Sequence, residues 1–91
     1  MNDQDTQILN ILQEECAEVS QVICKIRRFG IDQINYHSEK TQRETLEMEI
    51  GDLQCLINLA IEYKIVDHKQ IKKAIKAKKQ KLKEWSTIFK E

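Results

Sequence analysis

The sequence contains no proline and only two glycines, Gly30 and Gly51, in 91 residues. Tight turns and β-hairpins depend on these residue types, whereas the abundant Leu, Ile, Glu, Lys and Gln favour helices. A chain of this length can form one domain and buries a modest share of its surface. We therefore predict a single all-α domain over residues 1–91, and we expect it to self-associate.

The sequence also lacks an apolar run of about 18 residues that could span a membrane, and its polar start does not resemble a signal peptide. Its cysteines, Cys16, Cys24 and Cys55, are odd in number and include no C-x-x-C pair. This pattern is more typical of reduced intracellular thiols than of disulfides or a zinc site. We expect a cytoplasmic protein with no membrane partner.

The formal net charge is zero, but the two signs are separated along the chain. Residues 1–62 carry 12 acidic and 5 basic side chains, while residues 63–91 carry 3 acidic and 10 basic ones. The two parts thus have charges of −7 and +7. Such a division can draw the parts together, or mark a basic segment that meets phosphate.

Apolar residues recur at helical spacing in three segments. The first runs from about Asp5 to Phe29, where Gly30 ends it. Residues 31–40 are aperiodic and predict a loop or a short helical turn. The second helix is expected from about Thr41 to Tyr63. A third starts near Asp67, which can cap it in an approximate capping box with a residue three positions on, Gln70.

The apolar residues of the second helix cover more than half of its circumference, so one partner helix cannot cover them. This helix should therefore lie centrally or against another subunit. The third helix has a narrower apolar stripe that continues to Trp85 and Phe89. Together the segments predict a compact, oligomeric bundle of about three long helices joined by an interhelical loop or short helix.

Four carboxylates lie on these apolar helix faces. Glu15 falls in the middle of the first stripe and Glu18 at its edge, while Glu49 and Asp52 fall within the apolar arc of the second helix. An unpaired carboxylate in a core costs several kcal/mol, on the order of the whole stability margin of a small domain. Metal ions, the chain's own Lys and Arg residues, or protonation of the carboxylates could offset this cost.

The spacing favours metal, because residues three apart on a helix are neighbours and two such pairs can converge on one point. Oxygen ligands suit Mg²⁺ or Mn²⁺ rather than zinc. Carboxylate-bridged iron bundles use Glu-x-x-His, whereas His37 and His68 lie outside both pairs. On a helical wheel Glu15 and Glu49 lie nearest the centres of the apolar faces. We therefore expect these two to be the most deeply buried of the four carboxylates.

These residues resemble the MazG-like, all-α nucleoside triphosphate pyrophosphohydrolases. That family's E-E-x-x-E and E-x-x-D motifs read EECAE at residues 14–18 and EIGD at residues 49–52, the latter within LEMEIGDL. The RFG sequence at residues 28–30 is similar to small phage-encoded members. The similarity covers residues 8–60, and the paired motifs are more specific than either alone.

The resemblance implies that Glu15, Glu18, Glu49 and Asp52 bind Mg²⁺, with Mn²⁺ as a substitute, while Glu14 supports the site or orients water. Glu14 and Glu15 are thus the expected catalytic residues. The implied reaction is attack of water on the α-phosphorus of a (deoxy)nucleoside triphosphate, which releases monophosphate and pyrophosphate. Family members form homodimers or homotetramers, often with helices of several subunits around each site.

Candidate substrate-binding residues come from the basic regions. Lys78 occupies a position of the third helix where an apolar residue is due, so it could point towards the site together with Lys81; alternatively it extends along the face to solvent. Arg28 and His37 are the other candidates for substrate contact. Trp85 could stack on a base, although its position is more typical of a core residue.

Two other interpretations remain. A helical nucleic-acid-binding or regulatory protein would use the eight lysines between Lys69 and Lys83, a segment with no acidic residue. A purely structural helical oligomer would explain the apolar arc of the second helix. Neither explains the inward carboxylates, so we expect a nucleotide rather than a nucleic acid as the ligand.

Overall fold

The computed structural model of the protein describes residues 1–90 and consists of three consecutive α-helices. Helix α1 comprises Asp3–Phe29, α2 comprises Gln42–Glu62 and α3 comprises His68–Trp85. Within the described residues the only β-structure is one isolated bridge. The predicted all-α fold with three long helices is confirmed, and the expected helix starts agree to within two residues.

The ends of α1 follow from local chemistry. The Asn2 side chain accepts a hydrogen bond of 2.7 Å from the backbone N–H of Asp5, which satisfies one of the free donors at the helix start. At the other end, the backbone N–H of Gly30 donates to the carbonyl of Ile26 at 2.8 Å. Gly30 has φ 101°, a conformation that other residues rarely adopt, so glycine is required there.

The segment between α1 and α2 is a loop rather than a short helix, and it folds back onto the start of α2. Ile34 and Thr41 form an antiparallel bridge. Thr41 and Glu44 form a capping box, in which each side chain accepts from the other residue's backbone N–H. Arg43 pairs with Asp32 at 3.1 Å, tying the loop to the helix.

Helices α1 and α2 pack against each other as an antiparallel hairpin. The apolar side chains that this contact buries fully are few: Ile8, Val22 and Ala60. Because α2 has only α1 as a packing partner, much of its wide apolar arc stays partly exposed, and Met48 and Ile50 each retain 47% of their accessible surface. The central position considered for α2 is not observed within one chain.

Helix α3 makes almost no contact with the hairpin. The radius of gyration is 16.1 Å, compared with about 12 Å for a compact domain of this length. The extents are 40 × 37 × 14 Å, so the chain is about one helix thick. The compact bundle predicted from the sequence is therefore wrong for the single chain, since α3 projects beside the hairpin instead of covering it.

Two expectations for the end of α3 are also wrong. The helix ends at Trp85 with Ser86 as its C-cap, so Phe89 lies beyond the helix rather than on its stripe. Trp85 is 85% exposed and is not a core residue of the chain. Trp85 is exposed because no other helix packs along this end of α3.

At the start of α3, Asp67 is the N-cap as predicted and accepts from the backbone N–H of Lys69 at 3.0 Å. The second bond of a capping box, from the backbone N–H of Asp67 to the side chain of Gln70, does not form in residues 1–90. One capping bond is enough to define where this helix begins.

Cys16, Cys24 and Cys55 are exposed free thiols. No helix in residues 1–90 combines the length and the apolar character needed to cross a membrane.

Two glycine substitutions test how the backbone conformation at each position affects the free energy of unfolding. Gly51 lies inside α2, and no atom lies within 4 Å of the position that an alanine methyl group would occupy there. Gly51→Ala should therefore raise the free energy of unfolding by about 1 kcal/mol. Gly30→Ala should lower it, because alanine is strained at this positive φ. Urea unfolding followed by circular dichroism measures both. Destabilisation by Gly51→Ala would show that another molecule packs closely against this position.

Candidate metal site

Three of the inward carboxylates meet between α1 and α2. Glu15 comes from the middle of α1, while Glu49 and Asp52 lie one turn apart on α2. One oxygen from each of the three lies within 4.8 Å of the others. The two sequence motifs, separated by 30 residues, are therefore brought to one place by the pairing of the helices.

The register of the hairpin explains this convergence. An apolar groove lies between the first half of α1 and the second half of α2, lined by Ile8, Ile11, Leu56 and Leu59. Glu15 follows Ile11 by one turn on α1, and Asp52 precedes Leu56 by one turn on α2. Packing of the apolar residues thus aligns the two helices so that the acidic residues face each other at the end of the groove.

The local electrostatics are unfavourable for negative charge. Burial, followed by repulsion from Asp52, Glu49 and other carboxylates, raises the pKa of Glu15. Burial raises the pKa of Glu49 as well, with further contributions from Glu18 and Asp52. One oxygen of Glu15, Oε2, is shielded from solvent and has no hydrogen-bond partner within the described chain. A carboxylate oxygen in this state favours a proton, a cation or a bound water as its partner.

The acidic candidates differ in how far their side chains are exposed to solvent. Glu15 and Glu49 are half-buried, which confirms their predicted depth, whereas Asp52, Glu18 and Glu14 are exposed. Glu18 is close enough to raise the pKa of both Glu15 and Glu49. Its oxygens nevertheless fall outside the cluster of three. Glu14 influences Glu15 most weakly among the acidic neighbours.

The basic candidates do not complete the site within one chain. Arg28 lies 13 residues after Glu15 on α1, about 20 Å along the helix axis, and its guanidinium lies over the Phe29 ring. His37 is exposed in the loop. Lys78 and Lys81 are exposed on α3, which departs from the hairpin.

In residues 1–90 the single ion pair is Arg43–Asp32, away from the cluster. The chain's own cations therefore do not neutralise the three carboxylates. Within a single chain, a metal ion and protonation are left of the three forms of compensation that the sequence suggests.

The donor set fits a hard divalent cation. All three groups offer carboxylate oxygens, with no thiolate or imidazole among them. Neighbouring ligands of an octahedral Mg²⁺, each about 2.1 Å from the ion, lie about 3 Å apart. Carboxylate oxygens that lie within 4.8 Å of one another would therefore have to move closer together, by up to about 2 Å, to bind one ion.

Comparison with known proteins gives no match, whether to a protein-family model, a curated protein or a solved structure. The resemblance of the two acidic motifs to MazG-like enzymes thus stays a prediction. The function has to be argued from the geometry of the site.

The raised pKa values predict an unusual pH dependence of stability. A carboxyl group whose pKa is higher in the folded state stabilises the fold fully only below its unfolded value, about 4.5. The metal-free protein should therefore lose stability as the pH rises from there through the raised values of Glu15 and Glu49. Urea unfolding in the presence of EDTA at a series of pH values measures this loss.

Added Mg²⁺ should reverse the loss at neutral pH, by about 2.7 kcal/mol when its concentration is a hundred times its Kd. Glu49→Gln should stabilise the metal-free protein at pH 7 and remove most of the response to Mg²⁺. Glu47→Gln, an exposed position of α2 outside the cluster, is the matched control. An equal Mg²⁺ response in both variants would contradict the site.

Proposed function

We propose that this protein is a Mg²⁺-dependent pyrophosphohydrolase of the MazG-like kind, which cleaves a (deoxy)nucleoside triphosphate to monophosphate and pyrophosphate. The observation that carries the proposal is the convergence of Glu15, Glu49 and Asp52, with an oxygen of Glu15 that lacks a partner. The resemblance of the EECAE and EIGD motifs to those enzymes supplies the reaction. Mn²⁺ would fit the same oxygen ligands.

Each acidic residue has a distinct role in the proposal. Glu15, Glu49 and Asp52 hold the cation, and Glu18, exposed at the rim, joins them when its side chain turns inward. When bound, Mg²⁺ supplies positive charge that neutralises phosphate oxygens and acidifies water. Glu14, exposed beside Glu15, orients the attacking water.

In the reaction, a bond forms between the water oxygen and the α-phosphorus while the bond from that phosphorus to the α,β-bridging oxygen breaks. Pyrophosphate leaves with the electron pair of the broken bond. The proton lost by water passes to a carboxylate, for which Glu14 and Glu15 are the candidates. In the absence of a cation, burial and the neighbouring carboxylates raise the pKa of Glu15.

Acidic residues repel a triphosphate, so the substrate also requires positive groups besides the metal. The proposed contacts are Lys78 and Lys81 of α3, with Arg28 and His37 as further candidates. We also propose that the active form is a homodimer or homotetramer, since a layer one helix thick leaves apolar surface for another copy to cover. The free thiols suit the reducing cytoplasm as the location.

Activity assays test this proposal. The protein incubated with a panel of canonical and modified nucleoside triphosphates and Mg²⁺ should produce monophosphate and pyrophosphate in equal amounts, and EDTA should abolish the reaction. Glu49→Ala should lower kcat/KM at least 100-fold, as expected when a metal ligand is lost. Glu47→Ala should leave it within about twofold, because exposed positions away from the site contribute little.

Release of phosphate instead of pyrophosphate would contradict attack on the α-phosphorus. Full activity of Glu49→Ala would contradict the metal site as the catalytic centre.

A nucleic-acid-binding function is the second candidate, and the surface of α3 favours it. Its lysines are exposed, and none forms an ion pair with an acidic residue in the part of the chain described. They lie on a helix that stands apart from the acidic hairpin. Such a surface could follow a phosphate backbone.

This alternative predicts binding to DNA or RNA whose log affinity falls linearly with log salt, with a slope of about 0.9 per phosphate neutralised on duplex DNA. Lys72→Glu combined with Lys76→Glu should reduce the slope by about two. Fluorescence anisotropy with labelled oligonucleotides measures it. An unchanged slope in this double variant would exclude α3 as a nucleic-acid-binding surface.

A further inference from the structure

Helix α3 has an apolar stripe that its own chain leaves largely uncovered. The stripe spans an arc of about 80° at 100° per residue and consists of Ile71, Ile75, Leu82 and Trp85. Ile75 is 63% exposed and Trp85 is 85% exposed. Because α3 makes almost no contact with the hairpin, the stripe is open to a partner from outside the chain.

The turn after α3 enlarges this apolar surface at one end. Ser86 donates from its backbone N–H and from its hydroxyl to the carbonyl of Leu82, at 3.0 and 2.7 Å. The backbone N–H of Ile88 donates to the Ser86 hydroxyl oxygen at 3.3 Å. These bonds hold Ile88, 69% exposed, and Phe89, 46% exposed, close to the end of the helix that carries Trp85.

Lysines border the stripe on both sides. On the helical wheel, three lie along one edge and a fourth along the other: Lys72, Lys79 and Lys83, and opposite them Lys81. The Nζ of Lys79 is 6.0 Å from the centre of the Phe89 ring, so a cation lies beside the apolar side chains at this end. None of these lysines forms an ion pair within the described chain.

This pattern is typical of helices that lie in the surface of an anionic membrane. Their Trp, Phe and aliphatic side chains enter the boundary of the acyl chains, while lysines at the edges extend to the lipid phosphates. Each lysine close to such a surface strengthens binding about fivefold.

We propose that α3 and the turn after it bind to the surface of a membrane that contains anionic lipids. The helix lies along the membrane rather than across it, because eight of its 18 residues are lysines. The sequence expectation of no membrane partner depended on the lack of a spanning segment, which this mode of binding does not need. The proposal does not rest on the proposed hydrolysis.

The charge of the rest of the chain orients it on such a surface. Residues 63–91 carry +7, whereas residues 1–62, which include the hairpin, carry −7. An anionic surface attracts the first part and repels the second. The chain is therefore held with α3 on the lipid and the carboxylates of the hairpin in water.

The stripe favours a membrane over a nucleic acid or an acidic protein. DNA or RNA would neutralise the lysines but leave the aliphatic Ile75 and Ile88 in water. A groove on an acidic protein would cover the stripe but would also enclose Lys78, which lies within it. At a membrane surface the Lys78 side chain extends along the stripe to the headgroups.

Trp85 tests the contact directly, because it is the only tryptophan. With vesicles of phosphatidylcholine and phosphatidylserine, its emission should shift to shorter wavelength and its quenching by acrylamide should fall. Vesicles of phosphatidylcholine alone should cause a much smaller change. Added NaCl should release the protein from the anionic vesicles, since screening weakens the attraction. Co-sedimentation with the vesicles gives the partition coefficient.

Two double variants of equal charge separate position from net charge. Lys79→Gln combined with Lys83→Gln should lower the partition coefficient about 25-fold, at about fivefold per lysine. Lys69→Gln combined with Lys73→Gln should lower it severalfold less, because these side chains lie opposite the stripe, about 10 Å further from the lipid. None of the four lysines is among the proposed substrate contacts.

A matched pair of variants tests the apolar stripe. Ile75→Gln should lower the partition coefficient at least tenfold, because the apolar side chain that enters the lipid is lost. Ala77→Gln, at an exposed position on another side of α3, should leave it within about twofold. Circular dichroism verifies that each variant keeps its helices, and the wild-type measurement decides the proposal even if a variant does not.

Several results would overturn the proposal. Unchanged Trp85 emission with the anionic vesicles is one, and equal binding of Ile75→Gln and wild type is another. Equal losses in the two double variants would reveal attraction by net charge alone. A Trp85 shift caused by an oligonucleotide but not by the vesicles would identify nucleic acid as the partner. A shift that depends only on protein concentration would identify a second copy of the chain.

Discussion

The approach of Glu15, Glu49 and Asp52 to one another is the constraint on which the properties of the site depend. Helix pairing that buries the apolar residues on either side also forces these three negative groups within 4.8 Å. In the absence of a cation, burial and mutual repulsion raise the pKa of Glu15 and Glu49. The repulsion among these carboxylates lowers the stability of the hairpin and favours a positive charge beside them. Such a loss of stability is common at functional sites.

A second constraint is the thinness of the chain. Two helices provide two facing surfaces, and only Ile8, Val22 and Ala60 become fully buried apolar residues among those described. The third helix, which could form another layer, is directed outward by the turn that follows α2. One chain thus combines a small core with an amphipathic helix that makes almost no contact with the hairpin.

Charge divides the chain into an acidic hairpin and a basic third helix. The acidic hairpin attracts cations, while the lysines of α3 have no acidic partners in the described part of their own chain. A triphosphate with Mg²⁺ needs both kinds of group, acidic ligands for the metal and basic groups for the phosphates. Within one chain the structure keeps these two kinds of group apart.

The sequence by itself determined the helices and identified the acidic residues of the candidate site. Helical periodicity, Gly30 and the capping residues placed the helix boundaries, because these signals act over a few residues, and the apolar-face positions of Glu15 and Glu49 indicated their depth. Only the tertiary structure decided that Glu18 lies outside the cluster and that α3 leaves the hairpin. These outcomes depend on side-chain reach across the helix pair and on the backbone of one turn, and periodicity along a helix contains information about neither.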